Sequence, residues 1–301
     1  MTGPQADHAS SRPKGEGPHP SLLEILRRST GYLSGVGIPQ PRLEAELLLG
    51  HCLGLTRLDL YLQFERPLQE SELSRIRPLL RSRAEGRPLA YITGQREFFG
   101  LPFEVGEGVL IPRPETELLV ELGLRAAGGG SVRCADLGCG SGCVGIALAV
   151  GHAGAACDLV DLAPGAVDMA RRNALLNQVA ERVTVLGGSW AEPLRERGRY
   201  DLIVSNPPYV TSAEWAQLEP GVRDYEPSTA LDAGPDGLRA YRELLPSLAA
   251  IASPRATVLL ECDPRRIGAV QQLCDQLLPH ESGQVHLDLT GRPRVLQVDL
   301  G

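Results

Sequence analysis

Apolar positions first recur at helical spacing after residue 20. Ser21 and Glu24 have the spacing of a capping box ahead of Leu22, Leu23, Ile25 and Leu26, and Gly35 and Gly37 mark the end of that helix. Pro41 suits the first position of a second helix, whose apolar stripe includes Leu43, Leu47 and Leu48. Leu73, Ile76, Leu79 and Leu80 predict another, disturbed by Pro78. Residues 21–86 therefore read as a small bundle of short helices that depend on mutual packing. Ahead of them, residues 1–20 carry four prolines and three glycines and predict a disordered tail. Between Pro88 and Pro114 the pattern turns to aromatic, β-branched and glycine residues, which predicts a strand pair or extended linker over 87–112. From residue 113 to 301 helical stretches alternate with short apolar runs at 132–137, 156–161, 183–186, 202–205, 258–261 and 295–298. Such alternation predicts an α/β domain, a parallel sheet covered by helices on both faces with its ligand crevice at the carboxyl ends of the strands.

Composition narrows this picture. A chain of 301 residues with 43% hydrophobic residues can build one large and one small core. A formal net charge of -7 offers no general attraction to nucleic acid phosphates or anionic lipid, so neither a nucleic acid substrate nor a membrane is expected. The seven cysteines are odd in number and lack the paired spacing of zinc sites, which predicts reduced thiols and no metal. No run is long enough to span a bilayer and the first residues do not resemble a signal peptide, so a cytoplasmic location is expected, and the chain is separately expected to be a monomer.

Candidate chemistry begins at Asp136-Leu137-Gly138-Cys139-Gly140-Ser141-Gly142, which follows an apolar strand and precedes an apolar helix. Glycines at such a turn let the backbone approach a ligand, and the helix amides can receive a negative group. Asp161 ends the next strand, where an acid can accept hydrogen bonds from ribose hydroxyls, a geometry that fits any nucleoside. Two features favour a methyl donor, S-adenosylmethionine, over a dinucleotide. Asp136 can face a cationic methionine end, and the spacing G-x-G-x-G departs from G-x-G-x-x-G. Trp190, beyond the third apolar run, is either a wall for the adenine face or an ordinary half-buried side chain.

The run at 202–205 leads directly into Asn206-Pro207-Pro208-Tyr209. Each proline fixes its own φ and pushes the preceding residue toward an extended conformation, so the loop is stiff. The Asn206 side-chain oxygen and the Pro207 carbonyl can each accept one hydrogen of a planar amide NH2, with Tyr209 walling the slot. That pairing aims the out-of-plane lone pair of a poorly nucleophilic nitrogen at a methyl group.

These motifs resemble the HemK family of release-factor glutamine methyltransferases. The resemblance runs from about residue 21 to 301 and includes Pro88-Leu89-Ala90-Tyr91-Ile92-Thr93-Gly94, Leu110-Ile111-Pro112-Arg113-Pro114-Glu115-Thr116-Glu117, Tyr225-Glu226-Pro227 and Asp288-Leu289-Thr290-Gly291-Arg292-Pro293-Arg294. It implies a Rossmann-like class I methyltransferase sheet in residues 113–301 and a helical domain that grips a peptide chain release factor. The expected reaction is methylation of the Gly-Gly-Gln glutamine. By the same resemblance Gly138 to Gly142, Asp161, Trp190 and Asn206 contact the donor, and Asn206, Pro207, Pro208 and Tyr209 bind the substrate glutamine. Ser189 and Cys262-Asp263-Pro264 depart from the family pattern. Glu115 and Glu117 read first as dipole-favouring acids at a helix start and second as cofactor-pocket residues. Two other targets remain open at this level, a ribosomal-protein glutamine and the exocyclic amine of a nucleic acid base, as does a catalytically silent donor-binding protein.

Overall fold

A computed structural model of the chain describes residues 19–301, apart from the side chains of His280 and Glu281; the tail expected over 1–20 lies, up to residue 18, outside the described residues. The chain divides into two compact units, one ending at Ile92 and the other running Thr93–Gly301.

The first unit is helical: α1 (Leu22–Gly35), α2 (Pro41–Leu53), α3 (Arg57–Leu62), α4 (Glu70–Ala84) and α5 (Leu89–Thr93). The Ser21 hydroxyl caps α1 by accepting the Glu24 N–H, and Pro41 opens α2. The Pro20 carbonyl accepts the Leu68 N–H at 2.9 Å, which brings the start of the described chain into this unit. Leu22, Leu26, Leu33, Leu48, Leu49, Leu60, Leu73 and Ile76 make its core. Where Pro78 was expected to disturb the third helical pattern, α4 runs through it unbroken. Pro78 and Ser74, whose carbonyl loses its usual donor, both lie on the exposed face, where the lost bond leaves no buried polar group, while Leu73 and Ile76 hold the buried face. The short helices α3 and α5 have no counterpart among the sequence expectations.

The second unit opens with the antiparallel hairpin of β1 (Gln95–Phe98) and β2 (Leu101–Glu104), followed by α6 (Glu117–Ala127). Then come β3 (Val132–Leu137), α7 (Cys143–Gly151), β4 (Ala155–Asp161), α8 (Pro164–Leu176), β5 (Val183–Gly187) and β6 (Tyr200–Ser205). Two single turns, α9 (Ser212–Trp215) and α10 (Pro220–Arg223), precede α11 (Arg239–Leu248), β7 (Ala252–Glu261), α12 (Ile267–Leu277), β8 (His280–Leu287) and β9 (Pro293–Leu300). Seven strands form one sheet in the order β5-β4-β3-β6-β7-β9-β8. Buried apolar residues from α6, α7 and α8 pack on one face, and residues of α11 and α12 pack on the other. This burial on both sides explains the near-continuous apolar runs of β3, β4 and β6.

The sheet is mixed, which corrects the expectation of an all-parallel one. β3 to β7 are parallel, but β9 pairs antiparallel with both β7 and β8. A turn over residues 288–292 joins β8 to β9, too short for the crossover that parallel neighbours require. Asp288 closes it, one carboxylate oxygen accepting the Thr290 N–H at 2.9 Å and the Arg292 N–H at 3.1 Å. Chain order reverses between β3 and β6, and both strands deliver their last residues to the same edge of the molecule.

Candidate active site

At the end of β3 the backbone turns through Gly138, Gly140 and Gly142, all with positive φ, and enters α7. A side chain at Gly142 would be strained: its φ is +80°, and a Cβ would sit 2.9 Å from the Ile146 side chain and 3.0 Å from that of Ala170. The turn is held from three sides. Gly138 and Cys139 donate their N–H groups to the Val160 carbonyl of β4 at 2.9 and 3.0 Å. Asp161 accepts the Gly140 N–H at 2.8 Å and, with its other oxygen, the Ala163 N–H at 2.9 Å. Buried Asn173 of α8 donates to the Ser141 carbonyl at 2.9 Å while also clasping both backbone groups of Glu104, so the β1–β2 hairpin, α8 and the turn are one assembly.

A cleft of about 500 Å³ opens over this turn. Asp136, Gly138, Cys139, Gly140, Ser141, Asp161, Trp190, Asn206 and Pro208 all line it, together with Ser189. Gly142 lies behind it at the start of α7. Pro207 and Tyr209 line instead a recess of about 30 Å³, to which Asn206, Pro208 and Arg113 also contribute. Asn206, Pro208 and Arg113 therefore border both cavities.

The electrostatics suit a ligand with a cationic end. Asp136 is buried, 3% exposed, and among the described residues accepts only the Gly145 N–H, at 2.9 Å. Burial, with a smaller push from Asp161, raises its pKa to about 7. A nearby positive charge would restore its ionised form. Ser141 Oγ is buried in the cleft wall without a hydrogen-bond partner among the described residues, an orphan that a polar ligand group would satisfy. The Trp190 indole, at φ 46°, stands against Gly138 and donates to Glu243 at 3.4 Å. Burial, aided by the nearby Asp136 and Asp161 charges, holds the Cys139 thiol well above its ordinary range, so it serves as an uncharged wall.

Several site residues escaped the sequence reading. Asn206 donates its Nδ2 to the Thr116 hydroxyl at 3.1 Å, and Tyr209 donates its phenol to Glu261 at 3.3 Å. Thr116 and Glu261 are 2% and 1% exposed. Burial raises the Glu261 pKa to about 6 against the opposing effects of the Thr116 hydroxyl, Arg294 and Tyr209. Its position at the carboxyl end of β7 was a usable signal, of the kind that singled out Asp161. Glu117, read as a helix-start acid, accepts the Phe99 N–H at 2.8 Å, and neither it nor Glu115 lines the cleft.

The sequence islands cited above also meet. Glu226 is buried and binds both the Ile111 N–H, at 3.1 Å, and the Arg113 guanidinium, which ties the loop before α11 to the segment before α6. Asp263, within the segment departing from the family pattern, pairs with Arg265 and Arg266, and both arginines reach Glu214 beyond the Asn206–Tyr209 loop. Cys262 fills the core beneath.

Comparison with known proteins agrees with this geometry. Residues 24–94 match the PrmC N-terminal domain and residues 114–218 the methyltransferase small domain. The chain is 44% identical over 241 residues to the release factor glutamine methyltransferase of Geobacter sulfurreducens, covering 80% of this chain and 84% of that protein. It is 39% identical over 275 residues to the enzyme of the same name from Moorella thermoacetica, covering 91% and 96%. Among solved structures, the hMettl16 catalytic domain superposes with a TM-score of 0.53 at 16% identity, over 74% of this chain and 81% of that one, a likeness of fold. With a strand-end glycine turn, an Asn-Pro-Pro-Tyr loop beside it and relatives matched over most of their length, the chain belongs to the release factor glutamine methyltransferase family.

Proposed function

We propose that this chain transfers the methyl group of S-adenosylmethionine to the side-chain amide nitrogen of the Gly-Gly-Gln glutamine in peptide chain release factors. The observation that carries the reading is that Asn206 and Pro208 border both the large cleft and the small recess, so a group held in the recess abuts whatever fills the cleft. Bound S-adenosylmethionine supplies an electrophilic methyl on a sulfonium. Asp136 faces its cationic end, Asp161 takes the ribose, the turn from Gly138 through Cys139, Gly140, Ser141 and Gly142 receives the chain between them, and Trp190 flanks the base.

Asn206, with Nδ2 committed to Thr116, has its oxygen available to one hydrogen of the substrate amide. The Pro207 carbonyl takes the other. An amide lone pair is delocalised into its carbonyl, so orientation must supply much of the rate, and such alignment is worth about 7–11 kcal/mol. The methylated nitrogen is strongly acidic and sheds its proton without a dedicated base. Residues 21–86 engage the release factor, and the enzyme works as a cytoplasmic monomer on protein rather than nucleic acid. The acidic balance supports that choice of substrate.

The test is incubation of the chain with labelled donor and, in parallel, release factors, ribosomal proteins and RNA, followed by mass spectrometry. A methyl on the Gly-Gly-Gln glutamine is expected. Label confined to ribosomal protein or RNA would overturn the reading.

A further inference from the structure

Resting on that reading of Asn206, we propose that Thr116 and Glu261 are positioning residues that lock the Asn206 amide with its oxygen toward the acceptor. The argument is one of hydrogen-bond direction. An ionised carboxylate only accepts, a hydroxyl can accept and donate, and an amide does one on each side. Thr116 Oγ1 already accepts the Asn206 Nδ2 hydrogen at 3.1 Å, so its own hydrogen must go elsewhere. No hydrogen bond joins Thr116 to Glu261 among the described residues; we assign that hydrogen to Glu261 because its Oε2 is buried without a partner and the Thr116 hydroxyl favours its ionised form. The other oxygen, Oε1, takes the Tyr209 phenol. Read from the carboxylate outward, every donor points toward Glu261, and Asn206 is left with an acceptor at the recess.

The chain reverses if Glu261 gains a proton. A protonated carboxyl can donate to Thr116, whose hydroxyl then donates to the Asn206 oxygen, and the flipped amide presents NH2 to a substrate that is itself an NH2. Two donors then face each other and the acceptor is lost. Groups facing Glu261 come from every packed element. Arg294 on β9 and the Tyr209 phenol favour its charge, Glu115 before α6 opposes it, and Cys143 of α7, Cys262 and Tyr241 of α11 surround it uncharged. Arg294 is in turn held by the turn residue Asp288 at 3.3 Å, which gives the segment 288–294 a part in the site. An acid limb in turnover, with an apparent pKa near about 6, follows from the protonation of Glu261.

The experiment uses the full chain with a release factor and compares the wild type with Glu261→Gln, Thr116→Val and Thr116→Ser. Donor affinity from calorimetry and the melting temperature establish that each variant folds. Glu261→Gln and Thr116→Val should each lower kcat about 10- to 100-fold, the range expected when one positioned polar contact is misdirected. The KM for donor should stay within about twofold. Because both act on one chain, the double variant should be no slower than the worse single one. Thr116→Ser, which keeps the hydroxyl, should retain kcat within about threefold, and Glu261→Gln should lose the acid limb. Protection of the Asn206 side-chain NH2 against hydrogen exchange, read by NMR without substrate, should fall in Thr116→Val. That readout separates the two claims: protection lost as expected in a chain that methylates no glutamine would sink the proposed function and leave the positioning role standing. Full kcat in Thr116→Val, or an acid limb that persists in Glu261→Gln, would overturn the positioning role.

Discussion

Donor binding should strengthen with pH between about 6 and 7.5, and Asp136 should be the reason. Its carboxyl is buried, accepts the Gly145 N–H, and carries a pKa raised to about 7 by burial and by Asp161. In the free chain at pH 6 the group is therefore mostly neutral, and pairing with a cationic ligand requires it to ionise. For a pKa of about 7, that ionisation costs about 1.4 kcal/mol at pH 6, or about an 11-fold loss of affinity against the high-pH limit, and about twofold at pH 7. The sign is unambiguous. A cation favours the charged carboxylate, so affinity rises as pH climbs through the free-state pKa, and binding below it releases close to one proton. Calorimetry with S-adenosylmethionine in two buffers of different ionisation enthalpy measures both quantities. The donor's own amino group titrates near about 7.7–8.0, which sets the upper end of the useful window. Asp136→Asn should flatten the slope and abolish the proton release, while binding less tightly than wild type at pH 7.5. An affinity constant across this window, or an Asn variant that keeps the slope, would refute the placement of the cationic end beside Asp136.

Three further outcomes follow from the same geometry. Asn206→Ala should lower kcat on release factor about 100-fold or more while donor affinity stays within a few-fold, and equal turnover would remove Asn206 from the chemistry. Asp161→Ala frees the Gly140 and Ala163 N–H groups as well as any ribose contact, so calorimetry should show donor binding weaker by roughly 1.5–3 kcal/mol. Gly237→Ala places a Cβ 2.6 Å from the Tyr209 carbonyl at a φ of +74°; thermal denaturation should register a loss of about 1–3 kcal/mol, and turnover should fall more than donor affinity.

What could be read from the sequence, and what could not, divides along physical lines. Asp161, the turn from Asp136 to Gly142 and the loop from Asn206 to Tyr209 were legible because a strand end and its following turn are local features, and the cleft does form where chain order reverses between β3 and β6. β8 escaped because it is the outermost strand, and its run of Ser282, Gly283, Gln284 and His286 carries little of the alternation that burial of one face would impose. α3 and α5 are 6 and 5 residues long, too short for a helical period to repeat. Asn173 looks like any polar residue within a helix, yet it is fully buried and spends its amide on three backbone groups, a role visible only once the hairpin and the glycine turn lie on either side of it.

The separation of Ile111 and Arg113 from Glu226, or of Thr116 from Glu261, raises a different difficulty. Each pair stands far apart in the chain, and nothing at either end announces a partner, because a threonine or a glutamate suits an exposed helix start or strand end equally well. Only the folded neighbourhood removes the ambiguity: buried Glu261 accepts the Tyr209 phenol, and buried Thr116 accepts the Asn206 amide. Asn206 was evident by identity, but its orientation was not. A candidate for meeting the substrate can thus be picked out from local sequence, whereas the direction in which its amide points is a property of the folded network and has to be read there.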